Sequence, residues 1–219
     1  EPKPNYRSLA ALTFVEGVVR DIPCPRVRVL RDGKMFTTEQ ILSEIIPNCV
    51  TKSLLSKVLQ SSCALLTSGG LKLIVTLLRR ACEVSFDDCA SRKNCSDAQN
   101  EFQCSLHEAV MGHMPELPIL FSIPSRFDPF ETQNVKTSSH SSTILVMLQL
   151  CEAFERYAQI DLSLVVNAKY DWVKLLPLDE QPAKRSFFNA EPLFQYRILR
   201  TLLLVSKLDH MSLSPKMLP

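Results

Sequence analysis

The sequence has no excess charge of either sign, no long apolar run and no recognisable metal or phosphate signature, and each absence removes a class of function. With 25 basic and 23 acidic residues in 219, the net charge is +2. Composition therefore does not announce a nucleic-acid binder, and any such contact must be a local patch. Nowhere do about 18 apolar residues follow one another, as a bilayer-spanning helix requires. The most apolar stretches, 71–78 and 198–205, are far shorter, so no membrane role is expected. The opening EPKPNYRS carries neither the basic n-region nor the apolar h-region of a secretory signal. The chain is expected to be a segment of a longer protein in a reducing compartment, cytosol or nucleus.

Glycine is scarce, with five in the chain, and Gly69 and Gly70 stand together. A phosphate-cradling loop would need a preceding strand and a GK[ST] ending, and neither is present. Inside a helix each glycine costs about 1 kcal/mol against alanine. The pair therefore marks either the start of the long helix or a close crossing with a neighbour. The eight cysteines contain no CxxC pair, and the histidines no HxxxH spacing. Cys63, Cys82 and Cys151 fall within apolar helical patterns and read as small core residues. Cys89, Cys95 and Cys104 with His107 and His113 have the residue types of a zinc site but not its spacing, so no metal is expected.

What the sequence does have is 46% apolar and 22% charged residues, a globular composition with ample length for a core. The run TKSLLSKVLQSSCALLTSGGLKLIVTLLRR at 51–80 sets two leucine-rich helical patterns back to back across SSC. A short apolar helix followed at once by a longer one is the unit of a stacked helical repeat. The expected fold is all-α, an α-solenoid of stacked helical hairpins of HEAT or armadillo type. Residues 1–219 are expected to form a single helical-repeat segment with a loop insertion at 114–142.

A first helix is predicted over 6–20, with Leu9, Leu12, Val15 and Val19 on one face, ended by Pro23 and Pro25. The stretch CPRVRVLRDGK is either a short extended segment or, as favoured here, an irregular crossover. Thr37 is an N-cap with Gln40 as its capping-box partner, followed by Ile41, Leu42, Ile45 and Ile46. Thr51 or Ser53 starts the next helix, with Leu54, Leu55, Val58 and Leu59, and the long helix then runs to about Cys82. Helix resumes near Asp97, with Phe102, Leu106, Val110 and Met114 on one face. Four prolines and the TSSHSST run make 114–142 loop-like. Helix returns at Thr143 or Ile144 with Leu145, Leu148, Cys151 and Tyr157. YDWVKLL at 170–176 reads as a short helix or turn. Pro192 opens a last helix over 193–208, apolar almost all round from Leu202 to Val205 and suited to the interior of a stack.

No set of residues reads as catalytic. His140, between Ser139 and Ser141, lies in the most loop-like region, where a base could not be held rigidly. Asp87 and Asp88 read as solvated carboxylates in a polar linker. Arg79 and Arg80 complement the dipole at a helix C-terminus. If Arg26, Arg28, Arg31, Lys52 and Lys57 share one edge of the stack, they make a phosphate-contacting surface for RNA. A solvated face is the competing reading.

Three stretches taken in order resemble the N-terminal domain of the nucleolar pre-ribosomal-associated protein family, large helical scaffolds that act in assembly of the large ribosomal subunit. EPKPNYRSLAALTFVEGVV is similar to the family's first helix. ILSEIIPNCVTKSLLSKVLQSSCALLTSGGLKLIVTLLRRA resembles its paired helices with the threonine-lysine start. YDWVKLLP, with the later FQYRILRTLLLV, resembles its aromatic-Asp-aromatic-x-Lys-Leu-Leu segment and following helix. Ahead of the long helix the family often has a basic or histidine residue, where this chain reads Leu66-Thr67-Ser68-Gly69-Gly70. The resemblance implies a non-catalytic scaffold in the nucleolus, bound to early precursors of the large (60S) subunit. Its implied partners are pre-ribosomal RNA and other assembly factors, with no cofactor and no small-molecule substrate. An adaptor that binds only protein partners in another pathway keeps the fold and changes the task. A zinc-dependent or hydrolytic enzyme resting on the Cys and His residues between 82 and 140 is the third reading.

Overall fold

Capping chemistry and apolar spacing together set the helix starts in the first half of the chain. The structure, a computed structural model, describes residues 6–27, 37–86, 95–127, 137–161 and 192–206. The described residues form an all-α fold of eight helices, with one two-residue parallel bridge between β1 (Arg26–Val27) and β2 (Ser85–Phe86). The chain divides into two compact units, residues 1–123 and 124–219. The boundary falls within the stretch expected as an insertion.

In the first unit α1 (Tyr6–Asp21) lies along α4 (Ala64–Cys82). The pair is parallel: Leu9 and Leu12 meet Gly69, Glu16 meets Lys72 and Thr76, and Val19 meets Arg80. Between them in sequence come α2 (Thr38–Ile45) and α3 (Lys52–Leu59). The capping box predicted for α2 is present, with Thr37 Oγ1 accepting from Gln40 N at 3.3 Å and Gln40 Oε1 from Thr37 N at 2.9 Å. Thr51, rather than Ser53, caps α3 by accepting from Leu54 N at 3.2 Å. Of the apolar residues expected on α3, Leu55 and Leu59 are fully buried while Leu54 is 40% exposed.

The centre of this unit is α4, where every residue from Leu73 to Leu78 is buried. A helix buried on nearly all sides requires neighbours around it, here α1, α2, α3 and α5 (Cys95–His113). Gly70 sits at the α3–α4 crossing: a Cβ there would lie 2.6 Å from Val58 Cγ1. Of the two predicted roles for the glycine pair, the close crossing is the one Gly70 fills.

Two expectations change. Arg26 and Val27 are extended and pair with Ser85 and Phe86, so at these residues the alternative of a short extended segment replaces the irregular crossover. The 114–142 stretch is not a loop over its described residues. It contains α6 (Leu117–Phe121) and the start of α7 (Thr137–Ile160), and Met114, Leu117, Leu120, Ile123 and Phe127 are buried. Pro118 lies in the first turn of α6, where a missing N–H costs nothing.

In the second unit α7 packs against α8 (Pro192–Ser206) as an antiparallel pair. Cys151 meets Thr201, and one turn later Glu155 meets Arg197 and Arg200. The core side of α7 is Val146, Met147, Leu150, Cys151, Phe154 and Tyr157, whereas Leu145, expected among its buried residues, is 42% exposed. The 170–176 segment predicted as a short helix lies outside the described residues.

Candidate nucleic-acid interface

The five cations expected to form an RNA-contacting edge are brought together only in part. Lys52 and Lys57 both belong to α3, the first at its start and the second in its last turn. Five residues along a helix turn the side chain through about 140°, so the two diverge around the axis. Lys57 is exposed, and Lys52 forms an ion pair with Glu116 at 3.1 Å. The backbone of Arg26 lies in β1, and its side chain, like Arg28 and Arg31, lies outside the described residues.

Beside Lys52 the chain forms a cleft that the sequence did not single out. The turn between α2 and α3 and the C-terminal end of α5 enclose about 290 Å³, lined by Ile46, Pro47, Asn48, Val50, Thr51, Lys52, Gly112 and His113. Ile46 and Val50 are buried and make its floor apolar. Val50 N donates to Pro47 O at 2.8 Å, which closes the turn and aims Asn48 outward. Gly112 leaves one wall bare, for a Cβ there would meet nothing within 4 Å. On the exposed His113, Nδ1 lies 3.1 Å from Ala109 O. A carbonyl can only accept, so in the neutral ring Nδ1 holds the proton and Nε2 is an acceptor. The cleft thus offers an ammonium, an imidazole nitrogen and an amide above an apolar floor.

The buried charges elsewhere tie helices together. Arg80, 4% exposed, donates from Nη1 to Val19 O at 2.8 Å and to Ile22 O, and from Nη2 to Pro23 O at 3.3 Å and Glu44 O at 3.2 Å. It thereby satisfies carbonyls left open at the end of α1 and joins α4 to α1 and α2. The structural reading of Arg80 is correct, through these hydrogen bonds more than through the helix dipole. Glu16, 3% exposed, accepts from Thr76 Oγ1 at 3.2 Å and pairs with Lys72 at 3.1 Å and Arg20 at 3.5 Å.

In the second unit Glu155, 5% exposed, pairs through Oε2 with Arg200 at 3.2 Å and Arg197 at 3.6 Å. Its Oε1 is buried without a hydrogen-bond partner among the described residues. Burial pushes the Glu155 carboxyl above its ordinary 4.5, against the pull of Arg200 and Arg197. Burial likewise pushes the Cys151 thiol up to about 12, the behaviour of an inert core thiol. Cys63 and Cys82, also expected in the core, are half-buried.

Among the described residues no group of three His, Cys, Asp or Glu side chains is placed to hold a metal ion. Cys104 and His113 are exposed, His107 is half-buried, and Cys89 and the Cys95 side chain lie outside the described residues. Asp87 and Asp88 also lie outside them. The backbone of His140 belongs to α7 rather than to a loop, and its side chain is outside the described residues. No helix among the described residues is long and apolar enough to cross a membrane.

The cleft escaped the sequence reading because its walls come from positions about 60 residues apart. The local signals were slight: a Pro-Asn turn before Thr51, and a glycine in the last turn of α5. Compared with protein-family models, with curated proteins and with solved structures, the chain matches none.

Proposed function

We propose that this chain is part of a non-catalytic α-solenoid scaffold of HEAT or armadillo type in ribosome biogenesis. In this reading it acts in the nucleolus, where it organises assembly factors and pre-ribosomal RNA in early precursors of the large subunit. The observation that carries the architectural half is the parallel packing of α1 on α4 across the intervening α2 and α3. In a stack of three-helix repeats of armadillo type, α1 and α4 are equivalent helices of successive layers and run parallel, whereas two-helix hairpins would set them antiparallel; the inner helix of a layer is covered on several sides. The buried run 73–78 of α4 has that character. The biological half rests on the ordered resemblance of three stretches to the nucleolar pre-ribosomal-associated proteins.

Replacing the cellular gene with one lacking residues 6–127 tests this reading. Large-subunit precursor RNAs should accumulate while small-subunit maturation is much less affected, and normal levels of both would refute it. The adaptor reading, with protein partners only, draws on the Lys52–Glu116 ion pair, which already engages one of the five candidate cations. Salt-dependent binding of RNA separates the two, because phosphate contacts weaken steeply as salt is added.

A further inference from the structure

We infer that the cleft between the α2–α3 turn and the end of α5 holds one unpaired RNA nucleotide, an inference that rests on the RNA-contacting role proposed above. Its volume of about 290 Å³ lies at the lower limit of the ~300–1,000 Å³ typical of ligand sites. That is room for a base-sized group and too little for a helix or a strand. The floor of Ile46, Pro47 and Val50 is apolar, as the face of an unstacked base requires.

The polar groups around that floor are mixed in kind. With Nδ1 turned to Ala109 O, the His113 ring offers Nε2 and a planar face, and the Asn48 amide both donates and accepts. A base edge carries both donors and acceptors, so it uses this set fully, whereas an aliphatic side chain would leave it idle. Lys52 supplies the cation for the adjoining phosphate. Its present partner does not prevent this. The two side chains are 44% and 69% exposed, and an exposed ion pair is worth no more than about 1 kcal/mol.

Gly112 provides the test. Gly112 lines the cleft and a Cβ there meets nothing within 4 Å, so Gly112→Leu adds bulk at the cleft with no clash at Cβ, and it replaces a poor helix former by a good one. Binding of a fluorescent single-stranded RNA ten-mer of mixed sequence is measured by anisotropy at fixed salt for the full chain, for Gly112→Leu and for His113→Ala. Thermal melts are recorded alongside. Both variants should lose affinity about tenfold, with the melt of Gly112→Leu unchanged or raised. Binding of the same sequence as a duplex should be unaffected by Gly112→Leu. Single-strand binding within twofold of wild type in both variants overturns the cleft and leaves the RNA-contacting role standing. Failure of the wild-type chain to bind any RNA overturns that role and the cleft with it.

Discussion

Alanine at the two adjacent glycines of α4 should shift stability in opposite directions. Both substitutions gain the same helix propensity, about 1 kcal/mol. At Gly69 the new Cβ would lie 3.6–3.8 Å from Leu9 and Leu12, ordinary contact with α1, so Gly69→Ala should stabilise by about 0.5–1 kcal/mol. At Gly70 it would lie 2.6 Å from Val58 Cγ1 and 3.4 Å from Leu59 Cδ2. Valine in a helix has essentially one rotamer and cannot turn aside, so α3 must move. Overpacking of this kind costs about 1–3 kcal/mol, and Gly70→Ala should lose up to about 2 kcal/mol net of the propensity gain. Hydrogen exchange along α4, read by mass spectrometry, measures the local opening free energy without assuming that both units unfold together. Equal effects of the two substitutions, or stabilisation by Gly70→Ala, would refute the close crossing of α3 and α4.

Arg80→Met should destabilise the first unit by about 1–3 kcal/mol, since it removes the charged donor from the buried Val19 carbonyl and from the carbonyls of the more exposed Ile22, Pro23 and Glu44. A fall in the urea midpoint and faster exchange at the end of α1 would report it. Glu155 is predicted to give the second unit an unusual pH response. Its folded carboxyl titrates above the ordinary 4.5, so between that value and the raised one the folded chain holds the extra proton. Its contribution is therefore complete below 4.5 and falls as pH rises through the folded value. The stability of wild type relative to Glu155→Gln should decline from pH 4.5 to pH 7 in urea titrations, and a flat difference would contradict this. Iodoacetamide should modify the exposed Cys49 and Cys104 in the folded chain and reach Cys151 only on unfolding. Peptide mapping of the alkylated protein tells these apart.

Local chemistry was legible in the sequence wherever both partners lie within a turn or two. Thr37 with Gln40, Thr51 with Leu54, and Pro192 at the start of α8 are cases in which a few consecutive residues settle a helix start. The apolar spacing of Leu106, Val110 and Met114 found the buried side of α5 for the same reason. Misreadings arose where tertiary packing overrides composition. Prolines around 115–124 suggest loop, yet Leu117, Leu120 and Ile123 recur every third residue and are buried, which holds α6 in place. The TSSHSST run is poor in helix formers but continues into the strongly packed α7. Arg80 could be recognised as structural, but its acceptors lie 36 to 61 residues away in sequence. Lys52 was found from its charge, while Asn48, Gly112 and His113 carry no pattern that places them beside it.

The most direct test of the proposed scaffold role is affinity purification of the full-length protein from cells, with sequencing of the bound RNA and identification of the bound proteins. The account predicts enrichment of large-subunit precursor RNA together with early assembly factors. Recovery of unrelated cytosolic proteins without pre-ribosomal RNA would contradict it.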